Sequence, residues 1–106
     1  MMIARWTVDA RFGCKQAALG LMQRWWQGIA PQIGWSKSQV RILSGSLGAP
    51  ESTIQVEVEI ADLAALNDAW TRLAKVPEQE AWAAELQPLI VSGTPSWSVY
   101  RRIQPD

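Results

Sequence analysis

The chain contains no histidine and a single cysteine, Cys14. The first absence removes histidine-based acid–base chemistry and the common imidazole metal ligand sets. The second rules out an intramolecular disulfide and any fold stapled by disulfides. Lysine plus arginine equals aspartate plus glutamate, ten of each, so the net charge is zero. A neutral chain has no overall field to draw in nucleic acid or an anionic membrane, and neither is expected as a partner. No apolar run approaches the ~20 residues that span a bilayer. The opening residues Met1 to Trp6 lack the basic start and apolar stretch of a secretion signal, so cytoplasm is the expected location. No internal repeat, linker or low-complexity segment divides the sequence, and its 106 residues are read as one domain, 1–106.

What is abundant is tryptophan: seven, against one tyrosine and one phenylalanine. Their placement depends on the hydrophobic period. Met2 to Ala10 alternate, with Met2, Ala4, Trp6, Val8 and Ala10 on one side and Ile3, Arg5, Thr7 and Asp9 on the other, which reads as a strand buried on one face. Gly13 ends it. From Cys14 to about Ile33 the period becomes helical, with Ala18, Leu21, Met22, Trp25, Ile29 and Ile33 on the buried stripe, and Gly34 as the stop. Lys37–Ser44 reads as a short strand. Gly45–Pro50 has loop composition. Thr53–Ile60 is the clearest strand, and the short connection predicts that it pairs with its predecessor as an antiparallel hairpin.

Asp62 is placed to cap a helix with a stripe of Leu63, Leu66, Trp70 and Leu73. That helix should break before Pro77, which suits the first turn of a new one. Glu78 and Glu80 then face the positive end of the new helix's dipole, and Trp82, Leu86 and Leu89 carry its apolar side. Trp97–Ile103 is the last strand, followed by a tail of Gln104, Pro105 and Asp106. The order βαββαβ predicts an α+β, ferredoxin-like fold: a four-stranded antiparallel sheet with helices on one face.

The other sheet face would carry Arg5, Arg41, Glu57 and Tyr100 among polar neighbours. Two readings stay open for it: a solvated face, common in antiparallel sheets, or the meeting surface of two subunits with balanced charges. Tryptophan also has two readings. Trp6, Trp25, Trp70 and Trp82 lie on apolar stripes and are core residues first. The functional alternative is an aromatic-lined pocket for a flat apolar molecule, with Trp6, Trp25, Trp26, Trp70, Trp82 and Trp97 as its residues. Trp26 and Trp35, off the stripe and beyond the helix stop, are expected at a pocket rim or subunit interface.

Cys14 stands where a helix start can activate a thiol. No histidine is there to serve as base, so a buried, inert cysteine is the stronger expectation. Glu57 and Glu59 share a strand face, as charges on any polar strand do, and no acidic cluster has calcium-loop spacing. Neither a metal nor a cofactor is expected. Tyr100 beside Arg101 and Arg102 lacks the exposed aromatics and basic surround of an RNA-binding sheet.

The second half resembles the dimeric α+β barrel superfamily, in particular its NIPSNAP-like and antibiotic-biosynthesis-monooxygenase-like branches. The residues that carry this are Asp68-Ala69-Trp70, Val76-Pro77-Glu78-Gln79-Glu80-Ala81-Trp82, Pro88-Leu89-Ile90-Val91-Ser92-Gly93 and Trp97-Ser98-Val99-Tyr100-Arg101. By motif the resemblance covers residues 60 to 103, and the whole chain only by element order. These are mainly packing motifs, so they speak to fold more than to function. The resemblance implies a dimeric α/β barrel, that is, a homodimer with sheets facing each other, and a pocket between sheet and helices in each subunit. Members include cofactor-free monooxygenases, haem-degrading enzymes and isomerases. The haem and isomerase branches commonly rely on histidine, which this chain lacks, so no catalytic residue carries over.

Two functions are therefore expected to compete. One is a dimer that binds a small apolar or aromatic molecule, with cofactor-free monooxygenase-like chemistry. The other is a non-enzymatic structural or interaction module.

Overall fold

The computed structural model describes residues 1–105. Asp106, assigned to the C-terminal tail from sequence, lies outside the described residues. The elements run β1 (Met2–Asp9), α1 (Lys15–Gly28), β2 (Val40–Ser44), β3 (Thr53–Ile60), α2 (Leu63–Leu73), α3 (Glu78–Leu86) and β4 (Ser96–Arg101). The strands form one antiparallel sheet in the order β2-β3-β1-β4. This is the ferredoxin-like arrangement expected from the element order, with the second helical segment split in two at Pro77.

The register explains which face is buried. Ala4 lies opposite Val58, Trp6 opposite Val56 and Val8 opposite Ile54. These residues point toward the helices, and Ala4, Val8, Ile54 and Val58 are almost wholly buried. Ala18, Leu21, Met22 and Trp26 answer them from α1, Leu66 and Ala69 from α2, and Leu86 from α3. β3 is buried along most of its length, as befits a central strand, whereas every residue of the edge strand β4 is exposed.

Several local outcomes differ from the sequence reading. The first helix ends at Gly28, and Ala30–Ile33 tightens into a 3-10 turn with Pro31 in its first positions. Proline cannot supply the amide that an α-helix would need there. Gly34 then closes the turn with a φ of 85°, the left-handed conformation glycine adopts most readily. Lys37–Gln39 is a second 3-10 turn rather than strand. Ser36 caps it reciprocally with Gln39, so β2 begins only at Val40. On α2 the Asp62 side chain accepts from the Ala65 amide at 2.8 Å, the expected cap. Leu63, assigned to the buried stripe, is exposed instead. It occupies the first turn, beyond the edge of the layer that Leu66 and Ala69 reach. β4 ends at Arg101, two residues short of the expected Ile103.

The β2–β3 connection folds back tightly. The Gly45 amide donates to the Thr53 carbonyl at 2.8 Å, and the Thr53 amide donates to the Pro50 carbonyl at 3.1 Å. A β-carbon on Gly45 would lie 1.9 Å from the Pro50 carbonyl oxygen, a backbone atom with little room to move. Glycine is required here for space. Gly45→Ala should therefore lower unfolding free energy by about 1–3 kcal/mol, the usual cost of forced overpacking. Urea denaturation would measure this, and an unchanged midpoint would mean the loop relaxes freely.

Candidate functional site: a tryptophan-lined cavity

A cavity of about 490 Å³ opens between the sheet and the helices, and all seven tryptophans line it. Strand alternation brings Trp6 from β1 and Trp97 from β4 to the helix-facing side, where they are register partners. Val56 and Val58 of β3 continue that floor. Met22, Trp25 and Trp26 descend from α1, Trp70 and Leu73 from α2, and Gln79 and Trp82 from α3. Trp35 enters from the segment after Gly34.

Six of the seven indoles form two groups. Trp25 lies 5.2 Å from Trp26, 6.1 Å from Trp35 and 6.2 Å from Trp82 by ring centroids, while Trp26 stacks on Trp35 at 5.7 Å. Trp70 and Trp97 meet edge to face at 5.6 Å. Edge-to-face and offset stacking match the quadrupoles of the rings and favour fixed geometry. The two groups differ in exposure. Trp26 and Trp35 are 6% and 8% exposed, whereas Trp70 and Trp97 are 40% and 45% exposed. Trp26 and Trp35 are thus interior residues, not the rim expected from sequence. Trp70 and Trp97 form the more open end. A periodicity argument allows one narrow buried stripe per helix, but this interior is wide enough for adjacent residues Trp25 and Trp26 both to reach it.

Hydrogen bonds hold the wall. Trp82 Nε1 donates to the Leu21 carbonyl at 2.7 Å, pinning α3 to α1. Trp25 Nε1 donates to Gln79 Oε1 at 2.8 Å. Gln79 is the one lining residue that carries a side-chain amide, and no ionisable side chain lines the cavity. Sequence reasoning passed over Gln79. A lone glutamine in the first turn of a helix reads as a solvent-facing side chain, and only the contact with the distant Trp25 sets it in the wall.

The opposite sheet face holds a different arrangement. Arg41 lies opposite Glu57 on β2–β3, and Glu57 opposite Arg5 on β3–β1, so the three form a row across the sheet. Arg41 bonds Glu57 Oε1 at 2.7 Å, and Arg5 Nε bonds Oε2 at 2.8 Å with its terminal nitrogen also paired. The Arg5 guanidinium also sits 5.0 Å from the Tyr100 ring centroid, a cation–π distance. Glu57 is only 4% exposed, held between Arg5 and Arg41. Glu59 pairs separately with Arg102 at 3.3 Å. The two glutamates are therefore each committed to arginines.

Cys14 is half-buried at the first-helix cap, so it is less enclosed than the sequence reading placed it, and it lies away from the cavity. Among the described residues no group of three or more Cys, Asp or Glu is arranged to hold a metal ion, and no helix is long and apolar enough to cross a membrane.

No protein-family model matches the chain. No curated protein matches it by sequence. Solved structures do. A NIPSNAP family protein from Agrobacterium tumefaciens superposes with a TM-score of 0.81 at 19% identity, covering 98% of this chain and 94% of that one. A NIPSNAP-like domain protein from Burkholderia xenovorans gives 0.80 at 16% identity, over 99% and 87% of the two chains. A variant of SnoaB, a cofactor-independent oxygenase from Streptomyces nogalater, gives 0.70 at 16% identity, over 99% and 97%. The fold is that of the NIPSNAP proteins and SnoaB. The resemblance read from the packing motifs of the second half thus holds for the whole chain at the level of fold. At these identities the NIPSNAP and SnoaB structures do not transfer an activity.

The Glu57 row gives a direct test. Glu57→Ala would leave two neighbouring guanidiniums without their anion. Losing one partner of a fully buried ion pair costs about 3–5 kcal/mol, and the partial exposure of both arginines reduces this to about 1–3 kcal/mol. Urea unfolding at low salt should show that loss, and added salt should recover part of it by screening the arginines. A loss within about 0.5 kcal/mol, the range of an ordinary surface change, would mean the row contributes little.

Proposed function

We propose that this chain binds a small, flat, apolar or aromatic molecule in the tryptophan-lined cavity. The observation that carries the reading is the convergence of every tryptophan in the chain on one open space. Core packing alone favours filled interiors, with density like that of an organic crystal. A cavity of about 490 Å³ falls instead in the size range of small-molecule sites, which are mostly apolar with a few placed polar groups. Indole faces suit planar rings, and a wall without ionisable side chains disfavours a charged ligand, whose desolvation nothing would offset.

Binding without turnover is the form of this reading we favour. General acid–base catalysis needs a titratable group within reach of the reacting atom, and the cavity lining has none. The oxygenase alternative rests on SnoaB, which shares the fold and is named a cofactor-independent oxygenase. For this chain it would require the ligand to supply its own reactive proton.

The proposal includes a homodimer joined through the outer sheet face. Its support is the enclosure of Glu57 on a face that also exposes Leu43 and Tyr100. Balanced charges there would let two copies meet without net repulsion. In the alternative reading the polar face serves a non-enzymatic interaction module and the cavity holds no ligand.

Native mass spectrometry of the purified protein separates these readings. The expected spectrum is twice the chain mass plus a reproducible small increment. A monomer would remove the dimer from the proposal, and a bare dimer that takes up no planar aromatic probe would remove the ligand. Trp97→Ala, which opens the mouth and strips Trp70 of its edge-to-face partner, should weaken binding of such a probe about tenfold in equilibrium dialysis, in line with the loss of a well-packed aromatic contact.

A further inference from the structure

The geometry points to Gln79 as the residue that selects among ligands, by donating from its amide nitrogen to a hydrogen-bond acceptor on a neutral planar molecule. This rests on the cavity being a ligand site, as proposed above. An indole nitrogen can only donate, so the Gln79 atom 2.8 Å from Trp25 Nε1 must be the amide oxygen. That contact fixes which end of the amide is the acceptor. Its Nε2 is then the free end, and it makes no hydrogen bond to protein among the described residues.

The rest of the lining sharpens the point. The other polar side-chain atoms around the cavity are indole nitrogens, which are donors. The one good side-chain acceptor, Gln79 Oε1, already accepts from Trp25, which leaves it one further lone pair. The side chains of this site therefore have more hydrogen bonds to give than to receive. A ligand that fits presents an acceptor, such as a ring carbonyl, rather than a donor such as an amine or phenol hydroxyl. An aromatic hydrocarbon would fill the same space but leave the amide N–H unpaired, at a cost in affinity.

Fluorenone and fluorene test this as a matched pair: both are planar and neutral, and they differ at the ring carbonyl. Equilibrium dialysis on the full chain gives the ratio of the two affinities, which removes their differing hydrophobicity when wild type and variants are compared. Gln79→Glu keeps an acceptor for Trp25 but removes the donor. Gln79→Met removes both while preserving length. The expected result is that both variants lower the fluorenone-to-fluorene ratio by about threefold to tenfold, the worth of one neutral hydrogen bond. Retained fluorene binding would show that the cavity is intact. An unchanged ratio in both variants would overturn the role of Gln79 while leaving the ligand site standing. A fall confined to Gln79→Met would assign the effect to the orientation of Trp25, and a fall confined to Gln79→Glu to the added charge; either overturns the inference. If neither compound binds the wild-type chain, the ligand site fails and this inference fails with it.

Discussion

Rigid indole rings on both sides of the sheet–helix junction keep the two layers from closing. Aliphatic side chains in such a junction interdigitate and fill it. Here Trp6 and Trp97 rise from the sheet while Trp25, Trp26 and Trp82 descend from the helices, and the rings stop against one another instead of meshing. Trp25 touches three other indoles, so no one ring can swing inward without displacing its neighbours. The cavity, the position of α3 and the orientation of Gln79 all depend on that contact set. The break at Pro77 contributes by freeing α3 from the direction of α2, which lets Trp82 reach the Leu21 carbonyl.

The two faces of the sheet thus solve opposite problems. The inner face is apolar and incompletely filled. The outer face is polar and closely paired, with one carboxylate held by two guanidiniums and one of these lying over a tyrosine ring. Because side chains alternate across a strand, a one-residue slip of β3 would exchange the two environments, placing Glu57 among the tryptophans. Register is strongly specified where one face is buried, and the Arg41–Glu57–Arg5 row reinforces the same pairing from the other side.

Much of this was legible in the sequence. The alternation of β1 and β3, the Asp62 cap and the proline break before Glu78 are local signals, and each acts through a contact within a few residues. The outer-face positions of Arg5, Arg41, Glu57 and Tyr100 follow from the same alternation. What escaped depends on three-dimensional placement. The first helix ends early because Pro31 acts on the turn before it, and Lys37–Gln39 curls because Ser36 and Gln39 cap each other. The depths of Trp26, Trp35, Trp70 and Trp97 could not be read from periodicity, since a stripe says which way a residue points and not what lies there. Gln79 was invisible for the same reason: its partner Trp25 is 54 residues away.

Because every tryptophan borders the same space, the intrinsic ultraviolet emission of this protein originates in one place. Within each group the rings lie 5.2 to 6.2 Å apart by centroids, close enough to share excitation. A molecule entering the cavity that quenches or accepts that energy would darken nearly the whole signal rather than a fraction of it. The interior is in effect a built-in optical reporter on its own occupancy, with no label attached and no silent tryptophan elsewhere to dilute the response.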